Sequence, residues 1–176
     1  VGYFAYETVG LVEKLPRPAA NPMALPDMLF VRPTLILVFD RLADLLYLVA
    51  PIWPEGVAAQ GQIETAKERI ETAAARLAGP LPAQARFAAD LPDVTPEPQL
   101  PPGRYREMVL AAKDYIAAGD IFQVVLAQRF TTPFPLPPFD LYRALRRINP
   151  SPFLYHLDMP GFAIIGSSPE ILVRAR

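Results

Sequence analysis

Asn149-Pro150-Ser151-Pro152-Phe153-Leu154-Tyr155-His156-Leu157-Asp158-Met159-Pro160-Gly161-Phe162-Ala163-Ile164-Ile165-Gly166-Ser167-Ser168-Pro169-Glu170 is the stretch whose reading decides the fold. Two short runs rich in branched and aromatic residues, Phe153–Leu157 and Phe162–Ile165, read as strands, and Ile171–Val173 reads as a third. Pro150 stops whatever helix precedes Asn149, and Pro152 forces the chain to leave in an extended conformation. Upstream, Asp140–Ile148 has helical spacing, and Ile121–Phe130 alternates as a strand would. Arg104–Ala118 carries Tyr105, Met108, Val109, Ala112, Tyr115 and Ile116 on one helical face, with Gly119 as its C-cap.

Further back, Gly61–Leu77 is an amphipathic helix ended by Gly79-Pro80. Thr34–Phe39 and Asp44–Ala50 are apolar strands, and the residues between them fit a hairpin. Val1–Tyr6 reads as a strand already under way at the first residue, followed by a short helix over Glu7–Lys14. Helices and strands mix without regular βαβ alternation. The expected class is therefore α+β, with a largely antiparallel sheet and flanking helices.

Proline is the compositional outlier at 22 residues, 16 of them clustered in 15–33, 79–102 and 132–138. Each proline fixes φ and removes a backbone donor, so these stretches read as connections. Seven prolines between Pro80 and Pro102 make 79–102 the clearest boundary, a linker between an N-terminal sheet region (1–78) and a second region (103–176).

Bulk composition excludes several classes. Just over half of the residues are apolar (52%), enough to build a core. A net charge of −1 supplies no field to attract nucleic acid or an anionic membrane. With no cysteine and a single histidine, His156, a zinc cluster or disulfide scaffold is excluded, which fits a reducing cytoplasm. No apolar run is long enough to span a bilayer, and there is no signal peptide. No Asp/Glu cluster has the spacing of a metal site, so no metal ligand is expected among these residues.

Three signatures carry the chemistry. They are Gly119-Asp120-Ile121-Phe122-Gln123-Val124-Val125-Leu126-Ala127-Gln128-Arg129-Phe130, Asn149–Tyr155 and Gly166-Ser167-Ser168-Pro169-Glu170. On the residues alone, Gln123 is a neutral amide amid branched neighbours, costly to bury unless paired, and reads as a core glutamine bonded to nearby backbone. Gly166, Ser167 and Ser168 are small enough to let a ligand approach the backbone, and Pro169 pins the direction of the Glu170 carboxylate. His156, Arg129 and Arg174 read as packing or surface residues, and Trp53 as a packing anchor.

In this order the signatures resemble the chorismate-utilising enzymes, most of all the large subunits (component I) of anthranilate synthases. The resemblance covers essentially the whole chain, and it implies a longer protein whose sequence continues past Arg176. It implies that Gln123 stands where water-adding members carry a lysine base. An amide there suits ammonia, which needs orientation but no proton removed. Glu170 is implied as the general acid that protonates the departing 4-hydroxyl of chorismate, a role suited to a partly buried carboxyl. Gly166, Ser167 and Ser168 would line the substrate. Asn149, Pro152, Phe153 and Leu154 would form one wall of a tryptophan feedback site. Magnesium is implied as cofactor, with its ligands outside this chain, and a glutamine amidotransferase subunit (component II) as partner. On this reading residues 1–176 alone are inactive. The alternatives are the large subunit of aminodeoxychorismate synthase, which also has glutamine at this position, and a non-catalytic module holding an aromatic amino acid.

Overall fold

Residues 1–16, 21–53, 59–81 and 94–175 are described in the computed structural model, which divides into two units, Val1–Ala85 and Arg86–Arg176. In the first, β1 (Gly2–Phe4) pairs antiparallel with β2 (Met28–Phe30), and the Phe4 and Phe30 rings meet edge-on at 4.8 Å. A 3₁₀ turn over Tyr6–Leu11 takes the place of the expected Glu7–Lys14 helix. β2 lies inside the proline-rich stretch read as a connection. Its three residues are not prolines, so their donors are free for a short ladder, and the Tyr3 hydroxyl donates to the Pro26 carbonyl at 2.8 Å beside it.

β3 (Ile36–Asp40) and β4 (Leu45–Val49) form the expected hairpin. Its turn is closed by Asp40, whose Oδ1 accepts the N–H groups of Leu42 and Ala43, both at 3.0 Å. Val38 opposes Tyr47 and Phe39 opposes Leu46, so both faces of this hairpin are apolar. A strand of that kind is built to be covered on both sides. α1 (Ala59–Ala78) packs against β4 and buries Ala66. Its Lys67–Glu64 ion pair, at 3.2 Å, is exposed and contributes little.

In the second unit, β5 (Glu97–Pro98) pairs with β6 (Phe130–Thr131), so part of the expected linker is strand. Residues 82–93 of that stretch lie outside the described residues. α2 runs over Arg104–Ala118, as its spacing predicts. Gly119 ends it at φ +82°, donating to the Ile116 carbonyl at 3.1 Å while Asp120 donates to Tyr115 at 3.0 Å. This pair of bonds is a Schellman closure, which needs a left-handed residue.

α3 (Pro138–Ile148) starts two residues before the expected Asp140, because proline at the first helical positions loses no hydrogen bond. β7 (Phe153–Met159) and β8 (Phe162–Ser168) are longer than expected and pair along their whole length. α3 lies on this hairpin, with Phe139 and Tyr142 against the His156 ring at 5.4 and 6.1 Å. Histidine there is packed, as read.

Two expected strands are absent. Residues 121–129 form no ladder, and neither do Ile171–Val173. β-prone side chains make a strand only where another backbone offers its N–H and C=O groups in register, and among the described residues none does so for either run.

A folded protein of 19.5 kDa exposes about 8,500 Å², whereas this one exposes 15,262 Å². Among the described residues only Ala66 and Met159 are buried apolar side chains. Each element has an apolar face, and few of those faces meet a second layer.

Two stability outcomes follow in the full-length protein, read by urea unfolding. Gly119→Ala forces a Cβ into the left-handed region and is expected to cost about 1 kcal/mol. At Gly166, directly opposite Tyr155, a methyl would overlap the Tyr155 ring carbon Cζ and its hydroxyl. Gly166→Ala is expected to be much less costly in a Tyr155→Ala background, with a coupling of about 0.5–3 kcal/mol. Additive effects would show that the ring does not occupy that space.

Candidate functional site

Helix α3 delivers the first part of the site. The Asn149 N–H still donates to the Leu145 carbonyl at 2.8 Å, but Asn149 has left helical geometry at φ −134°, ψ 70°. Pro150 cannot continue the helix, and β7 is under way by Phe153. The turn Asn149–Pro152 therefore joins the C-terminal end of α3 to the hairpin it covers.

Strand alternation then sorts the side chains. Phe153, Tyr155, Leu157 and Met159 share one face of the hairpin with their partners Ser168, Gly166, Ile164 and Phe162. Leu154, His156 and Asp158 share the other with Ser167, Ile165 and Ala163. His156 touches α3, so the second face is the helix side. Phe153 and Leu154, read from the sequence as neighbours along one wall, thus lie on opposite faces. Gly166 and Ser168 are likewise separated from Ser167.

Polar contacts follow this sorting. On the helix side the Ser167 hydroxyl donates to the Asn149 carbonyl at 2.7 Å, closing the turn onto β8. On the opposite side the Ser168 hydroxyl donates to the backbone carbonyl of Glu170 at 3.3 Å, across Pro169. Ser151 Oγ and His156 Nε2 are buried atoms without a partner among the described residues.

Gln123 is exposed, on the segment that forms no ladder, and makes no hydrogen bond among the described residues. The reading of it as a satisfied core amide is therefore corrected, because the strand that would have buried it is not formed. Glu170 is exposed as well, beyond the end of β8, and the described residues do not supply the partial burial expected of it. The structure thus brings together Asn149, Leu154 and Ser167 on one side, and Phe153, Tyr155, Gly166 and Ser168 on the other.

Sequence reasoning missed the Ser167–Asn149 bond and the Tyr155 ring over Gly166. Both depend on strand register, which no local spacing reveals. No three acidic or histidine side chains gather to hold a metal ion among the described residues, and no helix there is long and apolar enough to cross a membrane. Hollows of about 360 and 310 Å³ lie elsewhere, beside α1 in the first unit. The second is lined by Trp53, whose ring carries the Arg32 guanidinium at 5.2 Å.

Comparison with known proteins accounts for this arrangement. The family model described as chorismate binding enzyme matches residues 1–176. Anthranilate synthase component 1 of Cereibacter sphaeroides is 42% identical over 176 residues, covering 99% of this chain and 35% of that protein. The Thermus thermophilus protein of the same name is 43% identical over 183 residues, covering 99% of this chain and 36% of its own length. The crystal structure of anthranilate synthase component I from Streptococcus pneumoniae superposes with a TM-score of 0.79 at 30% identity, over 97% of this chain and 38% of that one. The chain therefore spans about a third of the length of the curated relatives it matches. A family match along the whole sequence, together with the shared fold, means that this chain belongs to the chorismate-binding enzymes.

Proposed function

We propose that these residues are part of the large subunit of an anthranilate synthase, which converts chorismate and ammonia to anthranilate, pyruvate and water. The observation that carries this reading is the 42–43% identity, along 99% of the chain, to two proteins named anthranilate synthase component 1. Gln123 adds a chemical reason. An amide orients ammonia by hydrogen bonding and need not take a proton before the attack. Neutral ammonia, unlike neutral water, is already a good nucleophile, and the added nitrogen sheds its extra proton to solvent afterwards. Glu170 gives its proton to the 4-hydroxyl of chorismate, so that the group leaves as water and not as hydroxide. Gly166 and Ser168, on the hairpin face that leads into Glu170, line the ring. Pyruvate departs when the enolpyruvyl C–O bond breaks and the ring becomes aromatic.

Tryptophan, the feedback inhibitor, is held at the turn and strand start Asn149, Pro152, Phe153 and Leu154, with Phe153 and Leu154 reaching it from opposite faces of the hairpin end. Ammonia comes from glutamine through an amidotransferase subunit, and the assembly works in the cytoplasm. Residues 1–78 belong to the N-terminal regulatory sheet and 103–176 to the start of the chorismate-binding domain, and 79–102 is the linker, apart from its short strand β5. Magnesium, which the resemblance implies, is given no ligand and no step here, because the described residues do not gather a donor set for it.

The experiment is anthranilate fluorescence with the full-length protein, chorismate, magnesium and ammonium. Anthranilate is expected, and 4-amino-4-deoxychorismate, which keeps its enolpyruvyl group, as the product would overturn the assignment in favour of para amination. Glu170→Gln keeps the side-chain size without the proton and is expected to lower turnover about 10²–10⁴-fold. Turnover unchanged within a factor of a few would remove Glu170 from the acid role. Residues 1–176 alone are expected to form no anthranilate under the same conditions, and any sustained turnover by them would contradict the proposed need for donors outside these residues.

A further inference from the structure

We propose that Ser167 is a positioning residue that couples the tryptophan wall to the catalytic turn, and not a ligand of the substrate ring. This rests on the functional reading above and goes beyond it by naming the physical connection between its two sites. Three observations support it.

The first is direction. Ser167 pairs with Leu154, on the face of the hairpin that α3 covers. Gly166 and Ser168 pair with Tyr155 and Phe153 on the other face. A hydroxyl on the helix side is not directed with the two small residues assigned to the substrate. The second is occupation. The hydroxyl hydrogen is already given to the Asn149 carbonyl at 2.7 Å, across 18 residues of sequence. An O–H···O contact of that length is a well-formed bond.

The third is what the bond connects. At one end is the turn Asn149–Pro152, which opens the tryptophan wall. At the other is β8, whose next residue, Ser168, donates to the carbonyl of Glu170 at 3.3 Å. Three backbone-anchored steps therefore lead from Asn149 through Ser167 and Ser168 to Glu170. The pairing Phe153↔Ser168 and Leu154↔Ser167 runs beside them and ties the strand start to the end of β8. Tryptophan that shifts the turn shifts the Glu170 turn with it. By linkage, chorismate then weakens tryptophan binding by the same factor by which tryptophan weakens chorismate binding.

The test compares tryptophan inhibition with the KM for chorismate in the full-length protein. The parental protein is measured first. If it forms no anthranilate, or forms it unaffected by tryptophan, the functional reading fails and takes this inference with it. With both behaviours present, Ser167→Ala and Ser167→Val are expected to raise the tryptophan inhibition constant about three- to tenfold more than they change KM, as for the loss of one hydrogen bond. Ser167→Thr, which has the shape of valine and keeps the donor, is expected to retain the parental ratio. A rise in KM with the inhibition constant unchanged would overturn the inference and make Ser167 a substrate ligand. A parental ratio in all three variants would overturn it too. So would loss of folded protein in the alanine and valine variants alone, since the bond would then be a folding requirement.

Discussion

Met159 and Phe162 meet across the Pro160-Gly161 turn, and from that point the ladder of β7 and β8 runs unbroken to Phe153 and Ser168. The hairpin residues of the candidate site take their faces from this register. A slip of one residue would exchange the two faces, sending His156 away from the Phe139 and Tyr142 rings and Ser167 away from Asn149. The aromatic contacts with α3 and the tight fit of Tyr155 over Gly166 both oppose such a slip. Register is thus specified from both faces, by packing on one side and by the shape of a glycine on the other.

Two chain terminations extend this order to the neighbouring segments. Gly119 stops α2 with two hydrogen bonds and sets the direction of the segment that carries Gln123. Asn149 and Pro150 stop α3 where its last turn reaches the hairpin, and the Ser167 hydroxyl takes up the carbonyl that the helix leaves free. Gln123 and the turn Asn149–Pro152, both proposed to act, lie just beyond these stops, where the backbone is no longer committed to a helix or a ladder.

Much of this was legible from local chemistry. The helix Arg104–Ala118 and its glycine cap follow from periodicity and from the one residue type that adopts positive φ without cost. The hairpin at 36–49 follows from two apolar runs and an aspartate-led turn. Strand alternation separates Phe153 from Leu154, whereas the resemblance places both on one wall. What local chemistry could not supply was partnership. Ile121–Phe130 has the composition of a strand and lacks a ladder over 121–129, whereas Met28–Phe30, hidden among prolines, has one. The Ser167–Asn149 bond is legible only after β7 and β8 have been aligned, because its two ends are 18 residues apart.

Exposure and chemistry meet at Glu170. On the proposed reading it must hand over a proton near neutral pH, and a carboxyl does so effectively when kept out of bulk water. Here it is exposed, as is Gln123. The same chain shows 15,262 Å², far above the roughly 8,500 Å² of a folded protein of its mass, and large apolar side chains such as Phe39, Leu45 and Tyr155 are exposed. Covering such side chains stabilises the fold through the hydrophobic effect. Placed over the exposed Glu170, a cover would also dry the pocket and strengthen every hydrogen bond made to the substrate. On the proposed reading, a second protein layer against the hairpin face that carries Gly166, Ser168 and Tyr155 would serve stability and acid catalysis together.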